Sequence, residues 1–77
     1  MVEKRTDIFR EMADAWDSKI VARTHVNKFT GGAVSPKLLA NCDCEETGPK
    51  DRFYLGRKCC YPVESLVTWL RDRARIH

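Results

Sequence analysis

Apolar residues recur along residues 6–17 at the three- and four-residue steps of an amphipathic helix. The apolar stripe comprises Ile8, Phe9, Met12, Ala13 and Trp16. Charged residues lie across from it, and Thr6 or Asp7 offers a capping oxygen at the start. The pattern predicts a helix over residues 6–17 that packs against a core, and a dimer seam is an open alternative for the same stripe.

A short strand and a brief helix are predicted next. Residues 19–23 are β-leaning, and Thr24 is the expected N-cap of a helix over residues 25–30 with Val26 and Phe29 turned inward. Glycines at 31 and 32 end that helix, because glycine takes the positive φ that helix C-termini favour. His25 has no carboxylate or serine partner in the pattern, so we interpret it as part of the helix start and not as a catalyst.

The strongest local pattern lies at residues 35–44. Ser35 is a good N-cap and Pro36 suits the first helical position, which predicts a helix from Pro36 to about Cys44. Leu39 and Cys42 are expected to face inward with Leu38 on the border. The residues expected to face away are Lys37, Ala40, Asn41 and Cys44. Two short helices joined by a glycine turn form a helix-turn-helix, whose second helix can enter the DNA major groove.

A β-hairpin is predicted after the polar break at residues 45–49. Residues 52–55 and 58–61 flank Gly56 and Arg57, and glycine at the first central position favours a type II′ turn. Alternation suggests one inward set, namely Phe53, Leu55, Cys59 and Tyr61. It leaves an outward set, namely Tyr54, Cys60, Arg57 and Lys58.

Pro62 is expected to end the hairpin and to open a last helix. The predicted inward stripe of that helix is Val63, Leu66, Val67 and Leu70, with Trp69 flanking it. Arg71, Arg73 and Arg75 fill the final turn, where cations suit the helix dipole. Trp16 and Trp69 are expected to make core or dimer contacts instead of stacking on bases.

The 77 residues, 43% of them hydrophobic, suffice for one small domain with a modest core. We expect residues 1–18 to form an appended helix and residues 19–77 the main domain. No apolar run approaches the roughly 18 residues of a membrane span, and residues 1–5 lack the apolar core of a secretory signal. These features argue against a multi-domain enzyme, a membrane protein and a secreted precursor, and they predict a cytoplasmic location.

Charge and cysteine narrow the function classes. The net charge is +3, but residues 1–18 carry five acids against three bases, whereas residues 51–77 carry six bases against three acids. The second half is therefore the part expected to meet a polyanion. The cysteines at 42, 44, 59 and 60 lack the two C-x-x-C knuckles of a structural zinc site, and we expect small reduced thiols.

Five short motifs in one order give the chain a resemblance to a known family. They are residues 26–32, 35–41, 48–49, 55–58 and 61–70. Across residues 20–75 the chain resembles the phage excisionase and MerR-type DNA-binding domains. The resemblance implies an α+β winged helix-turn-helix: a short strand, two helices, a β-hairpin wing and a closing helix, here with an extra N-terminal helix.

The resemblance also implies how the chain would bind double-stranded DNA. The second helix would enter the major groove with Lys37, Leu38 and Asn41, where Asn41 can contact adenine and Leu38 a thymine methyl. The wing candidates are Arg57 and Lys58, with Arg52 at the wing's base. The implied roles are transcription regulation or DNA recombination in a phage or mobile element, with a homodimer or an array on DNA as a hypothesis.

A protein-interaction module is the competing class. The chain departs from the family at Glu45 and Glu46, where many relatives have a basic residue and then glycine. Those acids and the acidic N-terminal helix suit a basic protein partner. An enzyme is not expected, since no acid–base pair, activated nucleophile, phosphate-binding loop or metal constellation is evident, and neither a cofactor nor a small-molecule substrate is predicted.

Overall fold

Four α-helices and a three-stranded antiparallel sheet form an α+β fold in the computed structural model, which describes residues 7–74. The elements are α1 (Ile8–Ala15), β1 (Ile20–Ala22), a 3-10 turn (Arg23–His25), α2 (Val26–Phe29), α3 (Pro36–Cys44), β2 (Phe53–Leu55), β3 (Lys58–Pro62) and α4 (Val63–Arg73). The predicted α+β class and the predicted order of elements are confirmed.

β3 is the central strand of the sheet. It pairs with β1 through Val21 and Tyr61, and with β2 through Tyr54 and Cys59, both in antiparallel register. Three consecutive β3 residues from Cys59 to Tyr61 are buried, so both faces of this strand are covered. The hairpin is thereby anchored by its second strand, while its first strand lies at the sheet edge.

The predicted faces of the hairpin were partly wrong. The residues that lie as predicted are Cys59 and Tyr61, which are buried, and Tyr54, Arg57 and Lys58, which are exposed. A two-residue turn pairs Leu55 with Lys58, which in turn pairs Phe53 with Cys60. Directly paired residues share a face, so Phe53 and Leu55 cannot lie on the face of Cys59 and Tyr61. Leu55 is exposed and Cys60 is buried, the reverse of the prediction for both.

The helix α4 covers the sheet and carries much of the core. The buried hydrophobic cluster comprises Val21, Val26, Phe29, Val34, Leu39, Cys42, Cys59, Tyr61, Val63, Leu66, Val67 and Trp69. Trp69 is buried and its Nε1 donates to the carbonyl oxygen of Thr47 at 2.8 Å, whereas Leu70 is only half-buried. Trp69 therefore belongs to the inward stripe, contrary to its predicted flanking position, whereas Leu70 packs against the core only in part.

The helix α1 lies against α4. Asp7 is its N-cap and accepts hydrogen bonds from the backbone nitrogens of Phe9 and Arg10, while Thr6 lies outside the described residues. Arg10 pairs with Glu64 of α4 at 2.8 Å. The predicted stripe of Phe9, Met12, Ala13 and Trp16 packs against the core of the same chain. Ile8, the other member of the predicted stripe, is exposed.

The segment between β1 and α3 differs from the prediction at its start. Residues 23–25 form a 3-10 turn, α2 begins only at Val26, and Thr24 makes no capping hydrogen bond. Val26 and Phe29 are buried as expected. Gly31 and Gly32 have φ values of +68° and +91°, which confirms that the glycine pair ends this helix.

Candidate nucleic-acid interface

The helix α3 begins where the sequence predicts. The Ser35 hydroxyl accepts a hydrogen bond from the Leu38 nitrogen at 3.0 Å, and Pro36 opens the helix without losing a hydrogen bond. Leu39 and Cys42 are buried beneath it. These anchors fix which side of α3 faces away from the core.

The outward side of α3 presents Lys37 and Asn41. Both are exposed and lie one turn apart, so their side chains are neighbours on the helix surface. Neither side chain has a hydrogen-bond or ion-pair partner within the described part of the chain. Leu38 is half-buried against the core, which keeps part of its side chain at the surface.

The hairpin tip presents Arg57 and Lys58. Gly56 has a φ of +64° and Arg57 does not have a positive φ, which is the pattern of the predicted type II′ turn. Arg57 and Lys58 are exposed, and neither forms an ion pair with any residue from 7 to 74. Tyr54 and Leu55, on the first strand of the hairpin, are 59% and 56% exposed.

An open groove of about 570 Å³ separates the hairpin from the 3-10 turn. Its lining residues are Arg23, Thr24, Tyr54, Leu55, Arg57, Lys58 and Cys59. Three of these are cationic and none is acidic. The groove therefore joins the turn before α2 to the cationic tip of the hairpin.

Asp43 is a buried carboxylate on the inner side of α3, only 5% exposed. Its Oδ2 accepts a hydrogen bond from Arg23 Nη2 at 2.7 Å and a short one from the Tyr61 hydroxyl. Oδ1 has no hydrogen-bond partner within residues 7–74, and the Nη1 atom of Arg52 lies 3.6 Å from it. The carboxylate thus ties α3 to β3, to the 3-10 turn and to the residue preceding β2.

Hydrogen bonds to the Asp43 carboxylate contribute to the raised pKa values of Tyr61 and Arg23. Burial, together with the hydrogen bond to Asp43, raises the pKa of Tyr61 above its ordinary range. For Arg23, burial alone lowers the pKa, but hydrogen bonds to Tyr61 and Asp43 outweigh it and leave the pKa raised. Tyr61 therefore stays a neutral hydroxyl and Arg23 a guanidinium at any ordinary pH.

Gly48 passes close to the same carboxylate. A Cβ built on Gly48 would clash with Oδ1 of Asp43, so a glycine is required here by close approach. The sequence motif at residues 48–49 therefore has a packing explanation in this fold.

Arg52 differs from the other predicted site residues. It is exposed over 41% of its side chain, but its guanidinium faces Asp43. Lys37, Leu38 and Asn41 share α3, and Arg57 and Lys58 share the hairpin tip. The six predicted residues thus divide into a helix set, a tip set and one arginine held at the base of the hairpin.

The arginines near the C-terminus have partners of their own. Arg71 pairs with Asp7 at 3.0 Å and lies over the Phe9 ring, and Arg73 lies over Trp69. Arg75 lies outside the described residues. Arg71 therefore links α4 to the start of α1, and Arg73 packs on a side chain of its own helix, so neither is a free cation.

Sequence reasoning missed Asp43, Arg23 and Tyr54 as parts of this surface. Asp43 follows Leu39 by four residues, so its inward position could have been read from helical spacing. Its partners could not, because Arg23 and Tyr61 are 20 and 18 residues away along the chain. Tyr54 could have been placed on the groove side only with the correct hairpin register.

The chain has no match among protein-family models, curated proteins or solved structures. No helix within residues 7–74 combines the length and apolarity needed to cross a bilayer. In that same part of the chain, no three His, Cys, Asp or Glu side chains are grouped to hold a metal ion. All four cysteines are free thiols, with Cys44 exposed and the other three buried.

Proposed function

We propose that this chain is a winged helix-turn-helix that binds double-stranded DNA without catalysis. In this proposal α2 and α3 form the helix-turn-helix and the β2–β3 hairpin is the wing. The biological role would be that of a phage or mobile-element regulator, or of an excisionase-like accessory factor in recombination. The proposal rests on the sequence resemblance and on how the cations of the chain are used.

The carrying observation is the difference between Arg57 and the other arginines. Among residues 7–74, Arg10, Arg23, Arg52 and Arg71 have acidic partners and Arg73 has an aromatic one. Arg57 alone has neither, and it sits at the hairpin tip beside Lys58. Two adjacent cations with no internal role are well placed to contact phosphate.

The outward side of α3 would supply base recognition. The major groove is wide enough to admit a helix, and an asparagine can make a bidentate contact with adenine there. Asn41 is the candidate for that contact, with Lys37 donating to guanine or phosphate and Leu38 touching a thymine methyl. Arg52 would reach the DNA backbone with the nitrogens that do not face Asp43.

A salt titration tests the proposal. Each phosphate contact steepens the log–log dependence of affinity on salt by about 0.9, so Arg57→Ala with Lys58→Ala is expected to flatten the slope by about 1.8. Affinity for all duplexes should fall together. The matched control is Lys19→Ala with Lys50→Ala, which removes two exposed lysines that line other grooves and should leave the slope nearly unchanged.

An unchanged slope in the Arg57 and Lys58 variant would contradict the wing assignment. Absence of duplex binding by the wild-type chain at low salt would contradict the function itself. A salt-insensitive association with a protein partner would instead favour the interaction module.

Asn41→Ala tests the base-reading assignment separately. A bidentate contact is worth about 1–3 kcal/mol of discrimination, so this variant should lose preference among sequences selected from a random duplex pool. Affinity for non-specific duplexes should change little. Equal losses on every duplex would show that Asn41 does not read a base.

A further inference from the structure

The groove between the hairpin and the 3-10 turn has a chemistry that the six predicted site residues do not explain. We propose that this groove binds the sugar–phosphate backbone of the DNA strand that separates the major from the minor groove, with Tyr54 and Thr24 as neutral hydrogen-bond donors. The inference rests on the proposed DNA-binding function and adds two contact residues to it.

The groove lies between the hairpin and the 3-10 turn that precedes α2. In the proposed function α3 lies in the major groove and the hairpin tip contacts phosphate at the edge of that groove. The 3-10 turn packs against α3 on one side of the groove, and the hairpin forms the other side. The backbone between the two DNA grooves would therefore run where this protein groove lies.

The charge of the lining carries the second step. Arg23, Arg57 and Lys58 line the groove and no acidic residue does. Arg23 is held by hydrogen bonds from Nε to the Tyr61 hydroxyl at 3.0 Å and from Nη2 to Asp43. Its Nη1 makes no hydrogen bond within the described residues. A guanidinium fixed in this way presents a donor at little entropic cost.

The neutral groups carry the third step. Tyr54 and Thr24 are exposed, and neither hydroxyl has a hydrogen-bond partner among residues 7–74. Hydroxyl groups of Thr and Tyr are common donors to DNA phosphate oxygens. Leu55, exposed beside them, offers an apolar surface suited to a deoxyribose ring. Tyr54 and Leu55 thus place two large exposed side chains beside the cations of the groove. This combination suits a DNA backbone, in which anionic phosphates alternate with less polar sugar rings.

The test uses uncharged substitutions. Tyr54→Phe and Thr24→Val each remove one hydroxyl, and we expect each to weaken duplex binding by about tenfold, because hydrogen bonds to charged acceptors are strong. The salt slope should not change, since a neutral group releases no counterion. Thr68→Val is the matched control, because the Thr68 hydroxyl donates to the Glu64 carbonyl on α4. The control should alter affinity less than twofold.

Duplexes carrying one methylphosphonate, an uncharged phosphate replacement, locate the contact. At the phosphate that Tyr54 contacts, the wild-type chain should lose affinity and Tyr54→Phe should lose clearly less. If the loss of affinity caused by the methylphosphonate and the loss caused by Tyr54→Phe simply add at every position tested, the inference is wrong.

Three further results would each overturn the inference. If wild-type protein binds duplex DNA while Tyr54→Phe and Thr24→Val bind equally well, this inference is wrong and the proposed function stands. Losses confined to particular base sequences would indicate a base contact and overturn the backbone assignment. Failure of the wild-type chain to bind DNA would overturn both.

Discussion

Glu46 ends α3 in a conformation that usually belongs to glycine. Its φ is +63°, its nitrogen donates to the Asp43 carbonyl and the next nitrogen, that of Thr47, donates to the Cys42 carbonyl. This is the Schellman pattern of a helix C-terminus, in which the left-handed residue is most often glycine. Glutamate at this position therefore carries a local conformational cost as well as a charge.

Glu46→Gly is expected to raise the free energy of unfolding by about 1 kcal/mol. The left-handed conformation costs a non-glycine residue about 1–2 kcal/mol, and part of that gain is offset by the greater freedom of glycine in the unfolded chain. Denaturant unfolding followed by circular dichroism measures the difference.

Glu46→Gln separates strain from charge. It removes the negative charge but keeps the side chain, so its stability should lie within about 0.5 kcal/mol of the wild type. Both variants should tighten DNA binding to a similar extent, because both remove the same charge near the end of α3. A stabilised glutamine variant would show that charge, and not backbone strain, matters at this position.

At the scale of the element, α1 depends on Asp7. A hydrogen bond from Arg71, supported by the cap contacts to the Arg10 and Phe9 nitrogens, lowers the pKa of Asp7 below its ordinary value of 3.8. A carboxyl whose folded pKa is depressed stabilises the fold above its unfolded pKa. That contribution is lost as pH falls through the folded value.

Acidification should therefore loosen α1 before the rest of the chain. Amide hydrogen exchange is expected to show falling protection in Ile8–Ala15 as pH drops below about 3.8, after correction for the intrinsic rate. Asp7→Asn should remove this pH dependence. Simultaneous loss of protection in α1 and α3 would mean that the two elements unfold as one unit.

At the scale of the whole molecule, Asp43 joins parts of the chain that are distant in sequence. It links α3 to Arg23, to Tyr61 on the central strand and to Arg52 before the hairpin. One buried carboxylate thus connects α3 with the central strand and with the base of the β2–β3 hairpin.

Asp43→Asn is expected to lower the free energy of unfolding by about 3 kcal/mol. It leaves the half-buried Arg23 guanidinium without its counter-charge, and breaking an ion pair whose carboxylate is buried is costly. Against a total of on the order of 5 kcal/mol for so small a domain, this loss should be evident as a lower denaturation midpoint. Asp72→Asn, an exposed change on α4, is the control and should have little effect.

The duplex affinity of folded Asp43→Asn protein shows whether Asp43 affects only the stability of the fold or also the relative position of α3 and the hairpin. If the Asp43 carboxylate fixes the position of α3 relative to the β2–β3 hairpin, affinity for duplex DNA should fall even at temperatures where the variant is fully folded. Unchanged affinity in the folded variant would limit Asp43 to a role in stability.

Local chemistry was sufficient to locate most elements. Ser35 and Pro36 start α3, the glycines at 31 and 32 end α2, and Gly56 turns the hairpin, all within a few residues of the features that predict them. Alternation within each strand does not assign the hairpin faces even though the turn is predicted correctly, because the register set by the two-residue turn decides which residues of the two strands share a face. Trp69 lies in the core although the sequence pattern puts it on the flank. Its indole nitrogen donates to the Thr47 carbonyl, 22 residues away along the chain, a contact that helical periodicity does not predict.

The sequence by itself determined which helices and strands form and in what order, because caps, glycine conformations and apolar periodicity act between near neighbours. Only the tertiary structure decided which polar groups meet. The Asp43 cluster joins residues about 20 positions apart, and the groove beside Tyr54 exists only once the hairpin is folded against the 3-10 turn. Such contacts depend on long-range packing, which short sequence patterns do not encode.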